Sequence, residues 1–219
     1  MIHKTIHITL LLCLLSNVLL KAQFHNDSLT NLFPKPHIYL KTNPLCMLQG
    51  PIIFTSEFRL SAERMTAKKQ SFQITAGYLG KGAYLYLFES MQNSNYEFKV
   101  NGARFGLEYR IYLFDKNNPK PEGMYIAPAF SYSYAKITDA YSSSRNEYIQ
   151  ATFINYTIKG GYQLIRNKLA LDFFYGLGYK DNTWTMNQNQ SFSVLPNNDF
   201  ELFPGNLKLI LGFNVGIVF

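Results

Sequence analysis

From Leu207 to Phe219 the chain reads LKLILGFNVGIVF, with Leu207, Leu209, Leu211, Phe213, Val215, Ile217 and Phe219 at alternate positions. Between them lie Lys208, Ile210, Gly212, Asn214, Gly216 and Val218. Side chains in a strand point to opposite faces in turn, so this pattern predicts a strand with one apolar face and one small or polar face. The same alternation recurs upstream. Ile53 to Arg64 sets Phe54, Phe58, Leu60 and Ala62 against Thr55, Glu57, Arg59, Ser61 and Glu63. A strand from Ser71 carries Phe72, Ile74, Ala76 and Tyr78, and beyond Gly82 the alternation resumes through Tyr84, Tyr86 and Phe88, which predicts a hairpin arm. Phe98 to Phe114 opposes Ala103, Phe105, Leu107, Tyr109, Ile111 and Leu113 to Gly102, Arg104, Gly106, Glu108, Arg110 and Tyr112.

Three further strands follow by the same rule: Met124 to Lys136, Thr152 to Leu164 and Lys168 to Lys180. His37 to Leu48 is the weakest, with Ile38 and Leu40 alternating with Tyr39 and Lys41 until Pro44, a residue confined to edges, bulges or strand ends. That makes eight strands. Connections after the third, fifth and seventh are long (the last runs from Asp181 to Gly205), and those after the second, fourth and sixth are short. The expected fold is therefore all-β, an eight-stranded antiparallel up-and-down transmembrane β-barrel over residues 37–219. The short first connection, Gln49-Gly50-Pro51, is the one departure.

Alternation alone does not say which face is inside. The non-apolar face does, because it carries Gly102, Gly106, Gly161, Gly176, Gly178, Gly212 and Gly216, where a solvated face would be rich in Lys, Glu and Thr. Glycine weakens a strand unless neighbours must approach closely, and the interior of an eight-stranded barrel is that narrow. Glu57, Arg59, Glu63, Arg104, Glu108, Arg110, Lys159 and Asp172 share that face. Buried charges must pair, so an interior ionic network is expected, centred on Glu57, Arg59, Arg104, Glu108 and Arg110 and filling the lumen. Sixteen Tyr and eighteen Phe against one Trp suit strands with aromatic belts.

Residues 1–22 read as a signal peptide: Lys4, then an apolar run to Leu20 broken at Ser16-Asn17, then Lys21-Ala22 before Gln23. Leu12 before Cys13 is not the small residue that a lipid-attachment site needs. Residues 23–36, with two prolines and no periodicity, read as a flexible periplasmic lead-in. Cleavage would leave 197 residues (219 − 22) at a net charge of +5, from +7 less Lys4 and Lys21. No basic run suggests a nucleic-acid partner, and Cys46 alone cannot form an internal disulfide.

Candidate chemistry is sparse. Only His25 and His37 would remain after cleavage, neither on a loop or outer strand end where a base could reach a nucleophile. No HExxH or Cys/His cluster marks a metal, and GARFG (102–106) and GLGYK (176–180) lie within strands. No catalytic, cofactor or metal site is expected. Tyr84, Tyr86 and Trp184, beside Phe88, Tyr96, Phe192, Phe200 and Phe203, are the candidate loop contacts with an extracellular protein or glycan; the favoured alternative is that these rings pack the loops or sit at the level of lipopolysaccharide.

The stretches TSEFRL (55–60), GARFGLEYRIYLF, GMYIAPAFSYSY and the closing strand together resemble small eight-stranded outer-membrane barrels of the OmpA-barrel or OmpX type. More closely, the chain is similar to an uncharacterised domain-of-unknown-function family of exported barrels from Gram-negative bacteria. The resemblance covers nearly all of residues 37–219. It implies an outer-membrane location in contact with lipid and lipopolysaccharide, and a terminal signature (Phe213, Val215, Ile217, Phe219) read by the barrel-insertion machinery. It implies a non-enzymatic protein with a structural or surface-binding role. A lipid-modifying enzyme and a narrow pore are the alternatives.

Overall fold

Each long strand pairs antiparallel with its neighbour in sequence, and the last returns to the first. The computed structural model describes residues 38–52, 54–67, 69–91, 97–113, 121–139, 147–188, 191–195 and 205–219; the expected leader and lead-in, His25, His37, Tyr96, Phe200 and Phe203 lie outside them. The elements are β1 (Ile38–Thr42), α1 (Leu45–Leu48), β2 (Thr55–Ala67), β3 (Gln70–Lys81), α2 (Ala83–Met91), β4 (Phe98–Tyr112), β5 (Gly123–Asp139), β6 (Tyr148–Arg166), β7 (Leu169–Gln188), β8 (Ser191–Leu195) and β9 (Leu207–Val218). The hydrogen-bonded cycle β1 to β7, then β9, then β1 is a closed eight-stranded antiparallel barrel. β8 stands outside the cycle and pairs only with the end of β7.

Register follows from the alternation, since a slip of one residue would turn every side chain to the wrong face. The longest ladder, β6 with β7, runs from Arg166↔Leu169 to Tyr148↔Asn187 around a two-residue turn. Asn167 takes φ 54 there, a left-handed conformation that Asn tolerates better than most residues.

The strands outrun the hydrophobic pattern at the end that carries the long connections. β5 reaches Asp139, β6 begins at Tyr148 and β7 continues to Gln188, so much of the expected loop 181–205 is strand. Beyond Tyr179 the outward positions become polar (Asp181, Thr183, Thr185), which ends the hydropathy signal while backbone pairing goes on. Trp184 is corrected with it. It lies 1% exposed on an inward position of β7, edge-on to Phe153 at 5.7 Å, and is not a loop contact.

The expected strand through Tyr84, Tyr86 and Phe88 is instead the helix α2. AYLYLFESM is apolar at both helical and strand spacings, and its Ala, Leu, Glu and Met favour helix once Gly82 breaks the strand. Leu85 points inward, while Tyr84 and Tyr86 are exposed.

The first strand is also shorter than expected. Pro44, at φ −63 and ψ −32, starts the single turn α1, and the proline ring already imposes that φ. Residues 43–54 therefore form a long connection at the same end as the others, and the apparent departure disappears. This leaves a notch in the wall. β1 pairs β2 only from Ser61 to Arg64 and β9 only from Val215 to Val218, so no strand separates residues 55–60 of β2 from residues 207–214 of β9. α1 packs beside β2 at this place. The Thr42 hydroxyl donates to the Arg59 carbonyl at 2.7 Å, and the Gly50 N–H donates to the Thr55 carbonyl at 2.6 Å.

The interior is layered. At the long-connection end Ile52, Leu79, Leu85, Val100, Phe153 and Trp184 form an apolar plug, with Phe54 packed against it and not facing outward as expected. Tyr39, Ile165 and Ala170 close the other end. Polar side chains fill the middle.

Candidate functional site

All eight barrel strands send a polar side chain into that middle layer, because strand alternation delivers every second residue inward. The lower part is built on Lys41 (β1), Glu63 (β2), Glu108 and Arg110 (β4), Lys159 (β6) and Asp172 (β7). Glu63 accepts from Lys41 Nζ, from the Ser71 hydroxyl, from Tyr112 Oη at 2.8 Å and from Gln163 Nε2 at 3.2 Å. Asp172 accepts from Tyr125 Oη at 2.7 Å and Asn214 Nδ2 at 2.9 Å, and pairs with Arg110 Nη2 at 2.9 Å and Lys41 Nζ at 3.6 Å. Glu108 bridges Arg110 Nε and Lys159 Nζ, each at 2.6 Å. Gln163 Oε1 accepts from Lys41 Nζ at 2.5 Å and Arg110 Nη1 at 2.9 Å, and its amide donates to the Pro121 carbonyl at 2.7 Å. The Arg110 guanidinium also lies over the Tyr125 ring, 4.4 Å from its centroid.

A second, smaller group sits nearer the long connections. Arg59 grips Glu57 with a fork, Nε to Oε1 at 2.7 Å and Nη2 to Oε2 at 2.6 Å. Arg104 approaches the same carboxylate at 3.6 Å and donates to the Ser131 hydroxyl at 3.2 Å. Gly77 makes room for this group, since a Cβ there would lie 2.7 Å from Glu57 Oε1.

All eight charges expected inside are there. The single network expected around Glu57, Arg59, Arg104, Glu108 and Arg110 is corrected to two groups, because no ion pair joins the Glu57 group to the Glu108 group among the described residues. Sequence reasoning missed Lys41, which sits on a five-residue strand with little pattern to read. It also missed Gln163, Tyr112, Tyr125 and Asn214 as partners, since neutral side chains carry no charge signal. Their inward strand positions were the available clue.

The outer surface is the reverse. On β7 the outward residues from Leu169 to Tyr179 (Leu171, Phe173, Tyr175 and Leu177 between them) are all apolar or aromatic, and most are more than half exposed. Phe58, Leu60, Ile74, Tyr78, Ile126, Tyr156 and Ile158 continue this belt around the barrel. Leu211 is 85% exposed, bordering the notch. Of the terminal residues, Phe213 packs on Phe173 with ring centroids 6.1 Å apart, and Val215 faces Leu171 on β7. Ile217 is exposed, and Phe219 closes the ring by exchanging backbone bonds with Ile38 at 3.0 and 3.3 Å. Tyr84 and Tyr86 are both more than half exposed on α2, Tyr84 with its ring 5.8 Å from that of Phe54 and Tyr86 with Lys81 Nζ 4.3 Å from its centroid.

No protein-family model and no curated protein matches the chain. Among solved structures it is similar to a major outer membrane protein from Thermus thermophilus, at 10% identity and a TM-score of 0.46, over 85% of this chain and 100% of that one.

Proposed function

We propose that this is a non-enzymatic integral outer-membrane protein of a Gram-negative bacterium. In this reading it is a small barrel of the OmpA-barrel or OmpX type, structural in the envelope, with a binding surface at its loop end. One observation carries the reading: rings and branched chains face outward while charges face inward. In water that arrangement would expose far more contiguous apolar surface than a soluble monomer carries. Leu169 to Tyr179 spans about 33 Å of strand at roughly 3.3 Å per residue, or about 25 Å along the axis at a tilt of about 40°, which is the height of a lipid-facing barrel band.

Short turns would then lie in the periplasm, with the exported chain's lead-in, and the long connections outside. Lipid and lipopolysaccharide meet the belt, and the barrel-insertion machinery meets the closing strand. Tyr84 and Tyr86 offer exposed rings to an extracellular protein or glycan. The filled interior favours a structural protein over a narrow pore, since the polar space between Arg59, Glu108 and Lys159 measures only about 30 Å³.

Fractionation of cells tests the location. The protein should sediment with outer membranes and run faster on gels unheated than boiled. Recovery in the soluble periplasmic fraction would sink the reading. Conductance above that of blank bilayers would favour the pore, and loss of a lipid modification on replacing His37 would favour the enzyme.

A further inference from the structure

Between the two interior groups lies a polar cavity of about 30 Å³, lined by Arg59, Arg104, Lys159, Glu108 and the hydroxyls of Ser131 and Thr157. Three cations and one carboxylate thus face one small space. The charge count sharpens this. The lower group balances, with Lys41, Arg110 and Lys159 against Glu63, Glu108 and Asp172. The upper group does not: among the described residues it sets Arg59 and Arg104 against Glu57 alone. Glu57 is already taken by the Arg59 fork, and Arg104 stands 3.6 Å off it. Arginine cannot shed its proton in a protein, and with only 12–16% of the Arg59, Arg104 and Lys159 side chains exposed, a counter-charge there is favoured over water alone.

We infer that this cavity binds one small monovalent anion, of halide size, between Arg104, Arg59 and Lys159. The space exceeds the roughly 10–15 Å³ that a single water needs, and a halide is only slightly larger than water. Arg104 and Lys159 supply charge, and the Ser131 and Thr157 hydroxyls can rotate to donate. The anion would neutralise the upper group and link it to the lower one, completing the network that direct ion pairs leave in two parts. The inference does not depend on what surrounds the barrel.

Bromide is the probe. Crystals of the full-length barrel grown with bromide in place of chloride should show an anomalous peak in this cavity. The purified protein should also unfold at least about 3 °C higher in chloride or bromide than in gluconate at matched ionic strength, since a ligand bound only by the folded state raises its midpoint. Arg104→Met removes the surplus charge at similar length, so it should fold and lose the halide dependence. No bromide peak in the cavity, or a halide dependence unchanged in Arg104→Met, would overturn the inference and leave the space to water.

Discussion

The guanidinium of Arg110 lies 2.9 Å from the carboxylate of Asp172, joining β4 to β7 across the barrel although those strands share no backbone bonds. Arg110 holds Glu108 and Gln163 as well, and it is 1% exposed. Replacing it by leucine leaves Asp172 and Glu108 short of their strongest partner in a site closed to water. Removing one member of a buried pair costs about 3–5 kcal/mol. Arg110→Leu should therefore lower the denaturant midpoint of the folded barrel by that equivalent. Arg110→Leu with Asp172→Leu should cost less than the two single changes added together, because residues in contact do not behave independently. Strict additivity would mean that the pair is not coupled.

The belt makes an opposite demand on the outer face. Tyr175 stands midway along the apolar row of β7, whereas Thr183 lies above it, and both point outward. If lipid touches the row, arginine at its centre costs about 2–4 kcal/mol, falling to about 0–1 near the interface. Tyr175→Arg should fold less stably into lipid vesicles than the parent by that amount, and Thr183→Arg should be nearly neutral. Equal effects at the two positions would place both in water.

Most of the barrel was legible because β5, β7 and β9 each carry apolar or aromatic residues at alternate positions over ten residues or more, a signal that marks the strand and the face it turns outward. The signal fails where its cause fails. Above Tyr179 both faces of β7 carry polar or mixed residues, so pairing continues without a hydropathy pattern and Trp184 reads as loop. YLYLF satisfies helix and strand spacing alike; the helix-favouring residues after Gly82 and the packing of Leu85 into the apolar plug together favour helix. The interior charges were legible from their face, but not their grouping. Which carboxylate meets which cation depends on stagger around the ring, and Lys41 meets Glu63 and Asp172 through a register that sequence does not state.

Glu89 fastens α2 to the wall. One carboxylate oxygen pairs with Lys81 Nζ at the end of β3, and the other accepts from the Phe98 N–H at 2.6 Å at the start of β4. The Lys81 hydrogen bond, aided by that from Phe98, holds its pKa below the ordinary carboxylate value. A depressed folded pKa means that the contribution is complete above the unfolded value of about 4.3 and fades as pH falls through the folded one. Acidification below about pH 4 should thus lower the amide protection of α2 and Phe98, measured against intrinsic exchange rates at each pH. Glu89→Gln should already show reduced protection there at neutral pH and no further acid step. Identical pH profiles for the two proteins would remove Glu89 from the fastening.

Two inward glycines separate close packing from mere tolerance. At Gly161 a Cβ would meet the Tyr125 ring and hydroxyl at 2.5 Å and the Phe173 carbonyl at 2.7 Å. Tyr125 cannot retreat without giving up Asp172, and the carbonyl belongs to the β6–β7 ladder. At Gly106 the nearest atoms are the Thr75 Cβ at 3.4 Å and the Phe130 carbonyl at 3.5 Å, which is ordinary contact. Overpacking a tight interior costs about 1–3 kcal/mol, whereas alanine at a roomy strand glycine gains about 0.4–1 kcal/mol by restricting the unfolded chain. Gly161→Ala should lower the unfolding midpoint and Gly106→Ala should leave it unchanged or raise it. The reverse order would mean that Tyr125 does not fill the space beside β6.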